Sequence, residues 1–151
     1  MLLITYHSQS GASAILARRA WRAALAVTDR DMPVELQRCV DAGAVDVAGA
    51  SGLLLVCAEN SGRLAGAAKD FLDRIFYPLH GRRMTIPYAL LVSAGNDGRG
   101  AVAEAERILR GIPFTQALEP RIVRGRPAAA ELEEVDEFAA GFAAGLEMGI
   151  F

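Results

Sequence analysis

Three runs of this chain are apolar at nearly every position: Met1 to Tyr6 (MLLITY), Gly52 to Ala58 (GLLLVCA) and Tyr88 to Ala94 (YALLVSA). A strand with one face in water alternates apolar and polar residues. Runs without that alternation belong to strands buried on both faces, as in a parallel sheet covered by helices. Pro33 to Val40 and Phe114 to Arg124 are more alternating and more charged, which places them toward the sheet edges.

Between these runs the period becomes helical. Leu64, Ala68, Phe71, Leu72, Ile75 and Leu79 recur at helix spacing, with Lys69, Asp70, Asp73 and Arg74 on the outer face. Leu132, Val135, Ala139, Phe142 and Leu146 form a second stripe, opened by Glu131, Glu133 and Glu134, whose charges suit a helix N-terminus. Ala14, Ala17, Trp21 and Leu25 form a third, and Gly100 to Arg110 carries Val102, Ala105 and Leu109 inward as a fourth. Parallel strands joined by right-handed helical crossovers place helices on both sheet faces, so the expected fold is α/β, a three-layer α/β/α sandwich. Its five-stranded parallel sheet fits the order 2-1-3-4-5. Ligands bind such sheets beyond the carboxyl ends of the strands, where strand order reverses. The loops after Tyr6, Ala58 and Ala94 are therefore the ones to inspect.

Composition narrows the function classes. The 151 residues, 52% hydrophobic and 23% charged, suit one globular domain over residues 1–151 with no linker or repeat. Sixteen basic residues against eighteen acidic give a net charge of −2 with no block of either sign, which argues against nucleic acid and against the strongly acidic face of a dedicated electron carrier. Cys39 and Cys57 lie in apolar runs without a CxxC or a histidine pair, so they read as reduced core residues and no metal site is expected. The N-terminus lacks the basic region of a secretion signal, and no apolar run reaches the length of about 18 residues that a membrane span needs. A cytoplasmic protein is expected.

The first loop, Ser8-Gln9-Ser10-Gly11-Ala12-Ser13, sets three hydroxyls and a glycine at a helix N-terminus, where free N–H groups and the helix dipole favour a phosphate. A single serine cap and a tight turn would use only one of these hydroxyls. The loop is not a Walker A sequence and contains no GxGxxG. After the third strand come Glu59-Asn60-Ser61-Gly62, read as a polar connector whose backbone and amide groups suit the edge of a flat heterocycle, or as a helix start capped by Asn60 or Ser61. After the fourth come Ser93-Ala94-Gly95-Asn96-Asp97-Gly98-Arg99-Gly100, whose three glycines imply positive φ or close approach of another group, an Asn-Asp-Gly turn alone accounting for part of the pattern.

With these loops at one sheet edge, the chain resembles the flavodoxin-like flavoproteins, specifically short single-domain members of the NADPH-dependent FMN reductase and quinone reductase type. The resemblance covers nearly the whole βα order. It implies that Ser8, Ser10, Gly11 and Ser13, with Gln9 and Ala12 in the same loop, hold the phosphate of FMN. It implies likewise that Glu59, Asn60, Ser61 and Gly62, followed by Gly66 to Arg74, form the second flavin loop and its helix. Ala94, Gly95, Asn96, Asp97 and Gly98 match the third loop, along the pyrimidine side of the ring. The chain departs from electron-carrier flavodoxins in having no aromatic residue in the second or third loop. That departure favours an enzyme with an open flavin face, taking electrons from NADPH or NADH and passing them to a quinone, a free flavin or a similar acceptor. The alternatives are a flavodoxin-type electron carrier and a non-flavin phosphate-binding module. The cofactor carries such chemistry, so no catalytic side chain is assigned.

The remaining chemistry-bearing residues have structural readings beside functional ones. His7 is a phosphate donor or a satisfied group ending a strand, and His80 ends a helix, meets a subunit or lies over a flavin. Phe76 reads as core, while Tyr77 is a candidate contact from a neighbouring subunit. Arg121, Arg124 and Arg126 read as a solvated edge or as a site for phosphate or NADPH. A homo-oligomer is compatible with the generous apolar helix surface.

Overall fold

A computed structural model describes residues 1–29 and 31–151. Its central strands are β1 (Leu2–Tyr6), β2 (Val34–Arg38), β3 (Gly52–Asn60) and β5 (Pro87–Ala94), with short strands β4 (Arg63–Leu64), β6 (Thr115–Gln116) and β7 (Arg121–Arg124). The helices are α1 (Ala12–Val27), α2 (Ala44–Ala48), α3 (Gly66–His80), α4 (Arg99–Gly111) and α5 (Ala129–Glu147).

The order along the sheet is β2-β1-β3-β5-β6, with β7 beside β5 and every one of these pairs parallel. This is the expected 2-1-3-4-5 arrangement with its last strand in two pieces. β6 pairs the start of β5, at Pro87 and Tyr88, and β7 pairs its end, from Leu91 to Ala94. Between them lies Pro120, which has no N–H to offer a ladder and so interrupts the edge strand.

The period of two along each central strand sorts the core into two halves. Leu2, Ile4, Leu54, Val56, Ala89 and Leu91 pack under α1 and α5. Leu3, Leu53, Leu55, Cys57, Leu90 and Val92 pack against α2, α3 and α4. Phe71, Leu72, Ile75 and Phe142 are fully buried, which accounts for the helical stripes read from the sequence. Arg74 ties α3 to the chain after β2, donating to the carbonyls of Ala42 at 2.8 Å and Cys39 at 2.6 Å.

One expectation is corrected. Glu59 to Gly62 does not lead straight into a helix capped by Asn60 or Ser61. β3 continues to Asn60, and the chain turns back to pair antiparallel as β4, Glu59 with Leu64 and Asn60 with Arg63. The turn residues Ser61 and Gly62 both take positive φ, 51° and 74°, the signature of a two-residue type I′ hairpin. Leu64, read as the first residue of the helical stripe, is a buried strand residue, and α3 begins at Gly66.

Both cysteines are free and buried. Burial pushes the Cys39 thiol from 9.0 up to about 12, and it pushes Cys57 in the same direction. Above pH 9 the unfolded chain therefore loses thiol protons that the folded chain keeps. Stability is complete below the unfolded pKa and falls as pH rises, by about 1.4 kcal/mol per pH unit for each thiol. Urea midpoints at pH 8 and near pH 10 should differ more for the wild type than for Cys39→Ala/Cys57→Ala; equal differences would contradict the assignment.

Candidate functional site

The first loop leaves β1 at Tyr6 and enters α1 through Gly11, the helix N-cap, at φ 99°. No side chain caps the helix, so the N–H groups of its first turn face outward for water or a ligand. The space where a Cβ of Gly11 would stand has no atom within 4 Å. Ser8 Oγ accepts the Gly11 N–H at 3.1 Å and fixes the entry of the loop. Ser13 is buried, its hydroxyl bonded to that of Ser93 at 2.7 Å, which anchors α1 on β5. Of the three loop hydroxyls, Ser10 alone has no hydrogen bond within the chain among the described residues, and it is exposed.

The other two predicted loops come to the same edge, and the hairpin bonds directly both to the first loop and to the loop after β5. Asn60 Nδ2 donates to Gln9 Oε1 at 2.8 Å, joining the hairpin to the first loop. Glu59 joins the hairpin to the loop after β5: its carboxylate accepts the Asn96 N–H at 3.1 Å and the Gly98 N–H at 3.2 Å. Two amides of that loop are thus engaged by a side chain. The amides of Gly95 and Asp97 have no partner in the chain among the described residues. Ala94 ends β5, while Gly95, Asn96 and Asp97 are exposed. Gly98 caps α4 at φ 72°, and Asp97 Oδ1 accepts the Arg99 N–H at 3.0 Å.

Two further residues hold this arrangement and were not among those assigned from sequence. A Cβ at Gly100 would overlap the carbonyl oxygen of Gly62, so the hairpin turn rests directly on the first turn of α4. Glu104, one turn later, accepts the Leu64 N–H at 3.0 Å. Gly100 is one of the three loop glycines whose presence implies positive φ or a close backbone approach, and here it is the close approach that the position requires; Glu104 carries no comparable signal.

The residues with two readings also separate. His7, half-buried, donates its backbone N–H to Val56 and lines a small cleft of about 200 Å³ with Tyr6, Ser8, Arg38, Cys39 and Val40. His80 meets the Gly111 carbonyl at 3.0 Å and stacks on Phe76, while Tyr77 is 80% exposed. Arg121 pairs with Glu134, and Arg124 and Arg126 are exposed. Among the described residues no cluster of three metal-ligating side chains occurs, and no helix is long and apolar enough to cross a membrane.

No protein-family model and no curated protein matches the sequence. Solved structures do. A flavodoxin from the domain Archaea superposes with a TM-score of 0.82 at 16% identity, covering 97% of this chain and 98% of the other. This chain has the flavodoxin fold. Flavodoxin of Megasphaera elsdenii matches with a TM-score of 0.75 at 24% identity, over 93% of this chain and 99% of its own. A WrbA-like flavodoxin from Agrobacterium tumefaciens gives 0.80 at 12% identity, over 97% of both chains. In this flavodoxin-fold chain the three bonded loops lie at the carboxyl edge, beside the reversal of strand order between β1 and β3.

The Glu59 link is testable by itself. Glu59→Ala should speed amide exchange at Asn96 and Gly98 severalfold while leaving β1 and β3 protected, and Glu59→Gln should lie between the two. Unchanged exchange at both amides would mean that the carboxylate does not hold the loop.

Proposed function

We propose that this chain, as one domain over residues 1–151, binds FMN at the carboxyl edge of its sheet and works as an oxidoreductase. In this reading, electrons come from NADPH or NADH and go to a quinone, a flavin or a similar acceptor. The observation that carries the reading is the convergence of the three loops around an uncapped helix N-terminus with an open glycine. The N–H groups of the first turn of α1, with Ser10 and Gly11, would hold the phosphate. Gly95, Asp97 and the Ser61–Gly62 turn would border the ring, in a loop pair held together by Glu59. When bound, the flavin supplies the redox chemistry, and the protein's part is position, hydrogen bonding and access. The absence of an aromatic residue from Glu59 to Gly62 and from Ala94 to Gly98 leaves the ring face open to a second substrate.

A second reading, an electron carrier with no small-molecule substrate of its own, is favoured by the end-to-end match to flavodoxins of similar length. The test is a visible absorption spectrum of the purified protein, then titration of the apo form with FMN, FAD and riboflavin. FMN binding at least tenfold tighter than riboflavin supports the flavin and the phosphate loop together, a difference of about 1.4 kcal/mol. Steady oxidation of NADPH or NADH then favours the reductase over the carrier. If no flavin binds, the reading falls and a phosphate-binding module without flavin replaces it.

A further inference from the structure

Away from the carboxyl-edge loops, a groove of about 700 Å³ runs between α1 and α5. Its apolar wall includes Ile15, Ala23, Ala26, Val27, Leu132 and Ala140, and Ile15 and Val27 are 53% and 43% exposed. Arg19 and Asp136 link the two helices along the groove: Arg19 donates two hydrogen bonds to the Asp136 carboxylate, at 2.8 and 2.6 Å, and one to the Leu132 carbonyl at 3.1 Å. The charges above it are arranged by helix. α1 presents Arg18 and Arg22 and α5 presents Glu137, with Glu133 one turn before it. All four are exposed, and none has an ion-pair partner among the described residues.

We propose that this face is the interface of a two-fold homodimer in which α1 of each copy packs against α5 of the other. A two-fold axis makes one patch meet itself, so it requires a surface that complements its own copy. A face with two cations on one helix, two anions on the adjacent helix and apolar side chains between them meets that requirement. The same balance disfavours a nucleic acid or an anionic membrane, because Glu133 and Glu137 would repel either. None of the residues assigned to the three loops lines the groove, so the pairing leaves the candidate site open and holds whether or not flavin binds.

Sedimentation equilibrium at micromolar concentration should give twice the 16.1 kDa chain mass. Arg18→Glu/Arg22→Glu makes both helices acidic, and Glu133→Arg/Glu137→Arg makes both basic. Each variant should be monomeric alone because like charges then face each other. Mixed in equal amounts they should form a heterodimer, since the two contacts then pair opposite signs again. Circular dichroism of each variant confirms its fold before mixing. If one does not fold, Ala26→Arg, at an exposed position in the groove, should block pairing by bulk alone. A wild type that sediments as a monomer overturns the proposal, as does a dimer that survives these substitutions or folded variants that fail to recombine.

Discussion

Replacing Gly11 by valine should lower FMN affinity by about 5-fold to 150-fold while leaving riboflavin affinity nearly unchanged. Gly11 stands at φ 99°, where a β-branched side chain is strained by about 1–3 kcal/mol. The space around its missing Cβ is open, so crowding by the chain is not the cause. The variant loop instead relieves the strain by moving its backbone, which turns the first N–H groups of α1 away from the phosphate. Restoring them on binding costs the relieved strain, and that free energy converts to the stated range of affinity. Riboflavin has no phosphate to lose. Parallel titrations with the two ligands measure the effect, and an equal loss for both would remove this loop from the phosphate site.

Gly100→Ala should act at the other end of the site, lowering FMN and riboflavin affinity alike and destabilising the protein by about 1–3 kcal/mol. Alanine at a helix position is ordinarily the better residue by roughly 0.5–1 kcal/mol. Here the added methyl would overlap the Gly62 carbonyl, a backbone atom that yields only if the hairpin turn moves. Such movement strains the Leu64 bond to Glu104 and the Glu59 bonds to Asn96 and Gly98. Urea unfolding and the same pair of titrations give the readout. A stabilised variant would show that the turn does not rest on α4. The two glycines together separate the phosphate end of the site from the ring end.

The runs Met1 to Tyr6, Gly52 to Ala58 and Tyr88 to Ala94 were legible as buried strands because burial on both faces leaves no room for polar residues at any position. The stripes of α3 and α5 were legible for the related reason that one helical face must be apolar. From these follow the sheet order and the edge at which the loops gather. The hairpin at Ser61 and Gly62 was not legible. Its two-residue turn and the two-residue strand β4 are too short to show a period, and Asn60 or Ser61 followed by Gly62 serves equally well as a cap. The split of the last strand was half written in Pro120, whose missing N–H breaks a ladder without saying where pairing resumes.

Sequence by itself determined the layered fold, the position of the site edge and the residue types available there, because hydrophobic period and turn chemistry are local properties. Tertiary structure alone decided how those residues are used. Ser13 pairs with Ser93, Glu59 with the amides of Asn96 and Gly98, and Gly100 makes room for Gly62; these partners stand 80, 37, 39 and 38 positions apart. No local pattern specifies such pairs, because they meet only after the strands that carry them have been placed side by side.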